Sequence, residues 1–142
     1  MHFYIQHFSN LSYHKEDGLY VLDSDLYVIV TDENWAVYVF TLYTGFKCNG
    51  GSVPRPFRWF MPSWDDDVPL LNIAYCLHDW LYASSELPKE IADDMLRGLL
   101  RDAGYNRFHA STVCWAVNTF AKSHYGKDEY GVAKLGNLEV TP

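Results

Sequence analysis

Cysteine is scarce in this sequence: three residues in 142, Cys48, Cys76 and Cys114. An odd number at scattered positions gives no disulfide framework and no metal or redox spacing, so free thiols in a reduced, cytoplasmic setting are expected. Positive charge is also thin. Eleven Lys and Arg stand against eighteen Asp and Glu, for a net charge of −7, and no basic run occurs. Nucleic acid as the main partner is therefore not expected, because phosphate binding relies on clustered cations. The same balance weighs against an anionic membrane surface. No apolar stretch approaches the roughly 18 residues of a membrane span. The start, MHFYIQHFSN, has neither a basic leader region nor a small-residue cleavage site, so no signal peptide is expected. Internal repeats and low-complexity segments are missing too.

Apolar and aromatic residues are abundant, at 49% and 17% of the chain. That is too apolar for disorder, and the length suits a single domain over 1–142 with a sizeable core. Three runs in the first half are rich in β-branched and aromatic residues: 19–22, 26–31 and 35–42. Turn-forming DSD (23–25) and DEN (32–34) separate them and predict an antiparallel β-meander over 19–44. FYIQHF (3–8) is a candidate edge strand. The 35–42 run is apolar at nearly every position, which predicts cover on both of its faces.

Residues 45–67 form a Gly-, Pro- and aromatic-rich connection, long enough to suggest a functional or wrapped loop. Phe57, Trp59, Phe60 and Trp64 are expected to plug it onto the core. Three helices are predicted over 68–126. The first spans 68–83, with Asp65, Asp66 and Asp67 as candidate caps and Pro69 in its first turn. The second spans 88–103 and closes at Gly104; the third spans 107–124 and closes at Gly126. The tail, 127–142, is Gly-rich and expected to be irregular, with Val132, Leu135, Leu138 and Val140 available for docking.

Within the first helix His78 and Asp79 interrupt an apolar run, where an ionisable pair is costly unless partnered. His78 and Tyr82 are four apart and share a face, whereas Asp79 lies about 100° round the helix from His78. On the second helix Asp93 falls at the edge of the apolar stripe, while Asp94 faces solvent. The short SSEL link makes the two helices antiparallel neighbours. Asp93 is thus placed to meet His78 or Tyr82 across the hairpin. A carboxylate on one imidazole nitrogen fixes the tautomer and leaves the other as a base. The alternative is a buried polar clamp that pins two helices. Both readings stand at this point.

Two blocks carry a family resemblance. GFKCNGGSVPR (45–55) followed by RWFMP, and LHDWLY (77–82) followed by KEIADDMLRGLL (89–100), resemble a family of short phage and prophage proteins known as domain of unknown function 1353. The family pattern is Ser-Val-Pro-Arg, then His-Asp-x-Leu-Tyr, then Ala-Asp on the next helix, over about 19–124. Cys48 and Asn49 stand where the family tends to have Thr-Asp. The resemblance implies a phage or prophage origin, and a place in the host cytoplasm or the virion; it implies no settled activity.

A looser likeness is to the His-Asp helix of secreted phospholipase A2. It implies His78 as the base, Asp79 as a ligand of calcium (the candidate divalent cation), and Asp93 and Tyr82 as support. Carbonyls of 44–51, around Asn49 and Gly50, would complete the oxygen shell. The paired cysteine before the His, the disulfide framework and the calcium-loop pattern of that family are missing here.

Other constellations are weaker. Ser52 is a candidate nucleophile beside a glycine-rich pocket, but Pro54 follows at once, and a tight turn delivering Val53 to the core explains NGGSVPR more simply. Arg55 would bond a buried carboxylate or loop carbonyls. Cys76, His78 and Asp79 diverge round the helix and make no zinc site. His109 and His124 read as surface residues. Trp64 with the acidic 65–67 cluster is a candidate protein contact. The expected fold is therefore α+β: an antiparallel β-meander in the N-terminal half, packed against a C-terminal three-helix layer with a His-Asp helical hairpin. Two functions remain open. One is a phage-encoded hydrolase with His78 as general base. The other is a non-enzymatic protein, either a virion or tail-assembly component or an inhibitor of a host protein.

Overall fold

The structure, a computed structural model, describes residues 1–50 and 61–142, and the side chains of all of these except 120–122. It is α+β, with antiparallel sheets in the N-terminal half and three helices after them. A four-stranded sheet has the order β1 (Phe3–Phe8), β4 (Leu26–Asp32), β5 (Val37–Leu42), β7 (Gly136–Thr141). A three-stranded sheet has the order β2 (Tyr13–Glu16), β3 (Leu19–Leu22), β6 (Lys47–Cys48). The helices are α1 (Pro69–Ser84), α2 (Lys89–Asp102) and α3 (Arg107–Ala116). Among the described residues no helix is long and apolar enough to cross a membrane.

The β4–β5 hairpin follows from alternation. Leu26, Val28 and Val30 of β4 and Tyr38, Phe40 and Leu42 of β5 turn inward and are buried. Asp32 closes the turn: its carboxylate accepts the N–H groups of Asn34 and Ala36 and the hydroxyl of Tyr38. β5 is covered on one face only. Val37, Val39 and Thr41 are half-buried, because the helices pack on a single side of this antiparallel sheet. β1 is the edge strand, broken by a bulge between Ile5 and His7.

Three more expectations, two on strands and one on the start of α1, are corrected. The 19–22 strand does not join a continuous meander; it pairs with 13–16 and 47–48 in the second sheet. The tail is not irregular throughout, since β7 pairs with β5 along its whole length. The cause is local. Trp80 on α1 donates its indole N–H to the carbonyl of Ala133, and a Cβ on Gly136 would lie 2.3 Å from that indole nitrogen. A residue without a side chain lets the returning chain pass over the ring and reach the free edge of β5. Third, no acidic side chain caps α1, whose N-cap is Val68. Asp65 instead accepts the N–H of Asp67, and buried Asn72 holds both the N–H and the carbonyl of Asp65.

Trp64 belongs to the fold rather than to a free surface. It stacks on Tyr20 at 3.9 Å between ring centroids and donates to Asp66, which also receives the Tyr13 hydroxyl. Phe57, Trp59 and Phe60 lie outside the described residues. The third helix is shorter than expected, as Val117–Ala121 is π-helical and Lys122–His124 is a 3-10 turn.

Candidate functional site

α1 is central because it is apolar nearly all round: its residues from Leu71 to Leu77, and Trp80 and Leu81, are buried. Burial of this continuous surface is what brings His78, on the same helix, inside. Ser85 ends the helix in a left-handed conformation (φ 58°), and its N–H returns to the carbonyl of Leu81. The chain then reverses into α2, whose stripe Ala92, Met95, Leu96, Leu99 and Leu100 packs inward with Asp93 beside it.

Asp93 is the hub. Its Oδ1 lies 2.8 Å from His78 Nε2 and accepts the Tyr82 hydroxyl at 2.7 Å. Its Oδ2 accepts Lys89 Nζ at 2.7 Å, and that ammonium also donates to Asn118 at 2.6 Å. The imidazole and the Tyr82 ring sit one turn apart with centroids separated by 4.2 Å. Burial alone would raise the Asp93 pKa, but the hydrogen bonds from His78, Lys89 and Tyr82 outweigh it and hold the carboxyl below its ordinary value. Burial, and then the Asp93 contact, pushes the Tyr82 phenol up, so Tyr82 stays a donor.

An ionised carboxylate only accepts hydrogen bonds. Nε2 of His78 must therefore carry a hydrogen, and in the neutral imidazole this tautomer puts the lone pair on Nδ1. Among the described residues no hydrogen bond engages Nδ1. His78 also lines a pocket of about 110 Å³, shared with Asp79 and Tyr82 from α1, Asn49 from the end of β6, and His124 and Glu129 from the segment after α3. Lys47 and Lys127 stand on the same walls, and among the described residues neither makes an ion pair.

Asp79 lines the same pocket from a position about 100° round the helix from His78. It is half-buried, and burial, set against His78, Cys48 and Asn49, raises its pKa to about 6. Its Oδ2 accepts the backbone N–H of Asn49 at 3.2 Å. This contact tests the expected calcium site. Calcium takes six to eight oxygen ligands, whereas the chain at the end of β6 turns a backbone amide hydrogen, a donor, toward Asp79. Among the described residues no three His, Cys, Asp or Glu side chains converge on a metal position. The described residues do not fit a calcium shell.

Gly50 serves the turn. Its φ is +81°, its N–H reaches the Cys48 sulfur, and a Cβ there would lie 2.7 Å from the carbonyl oxygen of Ser63. Ser52 and Arg55 lie outside the described residues. Asp94 is partly exposed and pairs with Arg97. All three thiols are free and buried. Sequence reasoning missed Lys89, although its i,i+4 spacing to Asp93 was a usable signal. His124, read as a surface residue, is exposed as expected, and it pairs with Glu129 beside the pocket that both line. No sequence signal marks His124, Lys127 or Glu129, because they reach the site only through the path of the chain after α3.

A family described as "Protein of unknown function (DUF1353)" matches residues 21–117, more than half of the 142-residue chain. The chain belongs to this DUF1353 family. The DUF1353 match takes in β4, β5, both helices of the His78–Asp93 hairpin and α3, but not β1 or β7. No curated protein and no solved structure matches the chain.

Proposed function

We propose that this chain is a small hydrolase, encoded by a phage or prophage, in which His78 activates water as a general base. The single observation that supports the reading is that His78 both donates to an ionised, buried Asp93 and lines a pocket. Nδ1 removes a proton from water as the water oxygen attacks an electrophilic carbonyl or phosphoryl centre. The imidazolium formed is stabilised by Asp93, and its proton then passes to the leaving group. Tyr82 and Lys89 hold Asp93 in place and are positioning residues. Such base catalysis is worth on the order of 10²–10⁴ in rate. The arrangement is similar to the His-Asp-Tyr core of secreted phospholipase A2, without a cation step here. The ammonium groups of Lys47 and Lys127, which make no ion pair among the described residues, favour a substrate that carries negative charge.

A second reading is supported by the burial of His78, which is only 8% exposed. In it, the cluster is a helix clamp in a non-enzymatic protein of the virion, or in an inhibitor acting in the host cytoplasm. A panel of chromogenic carboxylic and phosphoric esters separates the two. The enzymatic reading expects turnover that falls at least about 100-fold in His78→Ala, with the circular dichroism spectrum unchanged. Turnover indifferent to His78, or none on any ester together with a lowered melting temperature in the variant, overturns it in favour of the clamp.

A further inference from the structure

A second cleft, of about 650 Å³, lies between the start of β1 and the helices α2 and α3. It shares no lining residue with the His78 pocket. Its size falls within the range of small-molecule sites, roughly 300–1,000 Å³. Every arginine among the described residues lines it: Arg97, Arg101 and Arg107. In a chain of net charge −7 this is a local reversal of sign.

The guanidinium groups retain free donors. Arg97 gives one Nη to Asp94 at 3.0 Å, and Arg101 gives one Nη to the carbonyl of Tyr105 at 3.3 Å. Arg107 makes no hydrogen bond or ion pair among the described residues. Each guanidinium has five N–H donors in a planar fork that matches an oxyanion. The acid of the cleft, Asp102, is already engaged, accepting the N–H of Ile5 at 2.6 Å and so anchoring β1. Gly98 sets the shape of the cleft floor: a Cβ there would lie 3.0 Å from the backbone nitrogen of Phe3, so strand and helix close tightly beneath the arginines. Arg97 and Arg101 are one helical turn apart on one face, a spacing that suits two neighbouring anionic groups.

We infer that the cleft lined by Arg97, Arg101 and Arg107 is a binding site for a small ligand with two adjacent oxyanion groups, a diphosphate or a di- or tricarboxylate. It is separate from the proposed hydrolytic pocket and does not depend on that reading. Inorganic pyrophosphate, citrate and acetate are the probes, titrated calorimetrically into the full chain. Saturable binding of pyrophosphate or citrate, with acetate at least tenfold weaker, is expected; which of the two binds tighter separates phosphate from carboxylate sources. Arg101→Gln and Arg107→Gln should each weaken binding tenfold or more, and Lys134→Gln should leave it unchanged. In amide NMR spectra of the unaltered protein, the shifts should centre on Tyr4, Gly98 and Ser111, which keeps the test open if a variant fails to fold. No binding of either probe at millimolar concentration overturns the site. So does equal binding by the arginine variants, or a set of shifts centred on Lys47 and Lys127.

Discussion

Nε2 of His78 and Oδ1 of Asp93 meet 2.8 Å apart across the α1–α2 hairpin, and the carboxylate that receives the imidazole also receives Tyr82 and Lys89. One buried acceptor thus satisfies three donors from two helices. Removing it strands His78 and Tyr82 and leaves Lys89 only Asn118 and solvent, while removing any one donor leaves the other two in place.

Asp93→Ala is therefore expected to destabilise the fold by about 3–5 kcal/mol, the usual cost of breaking a buried charge pair from one side. Lys89→Met should cost less, since Lys89 is partly solvated at 20% exposure. Urea unfolding of both variants checks the order. Equal losses would show that Asp93 is not the hub.

Asp93 and Asp79 should imprint opposite pH dependences. The depressed pKa of Asp93 contributes stability above the unfolded value of about 3.9, and that contribution is lost as pH falls through the folded pKa. Asp79, raised by burial from 3.8 to about 6, binds its proton more tightly in the folded state. Its contribution makes stability fall as pH rises from about 4 to about 6. Asp79→Asn should flatten that window and gain up to about 2 kcal/mol at neutral pH, after allowance for partial solvation. Urea midpoints of the two proteins across pH 4–7 measure it.

Calcium or magnesium at millimolar concentration is expected to leave the melting temperature unmoved, because the Asn49 amide hydrogen faces the Asp79 carboxylate and, among the described residues, no further acidic ligands converge on it. A rise that disappears in Asp79→Asn would show a cation site, since a ligand that binds only the folded state stabilises it by mass action.

Gly136→Ala places a methyl group where the Trp80 indole lies. Loss of about 2–3 kcal/mol is expected from the overpacking, with β7 leaving the edge of β5. Amide exchange should then accelerate at Leu138 and Val140 while the α1–α2 hairpin stays protected. Unchanged protection of β7 would mean that the strand is held by its ladder alone.

Much of this architecture is written locally. Period-2 alternation marks β4 and β5, the all-round apolar surface of residues 69–84 marks a central helix, and helical spacing places His78 and Tyr82 on one face with Asp93 across a short link. Such features depend only on neighbours in the chain, so periodicity carries them. Strand partnership is different. β3 pairs with β2 and β6 and not with β4, the strand that follows it, and β7 returns from the far end of the chain to β5, because pairing is settled by which edges remain open and which surfaces can approach. The space over Trp80 that admits Gly136 and the arrival of His124 and Lys127 beside His78 are contacts between distant segments. Composition and spacing say which side chains want burial or partners; the packing of helices on one face of the sheet selects who those partners are.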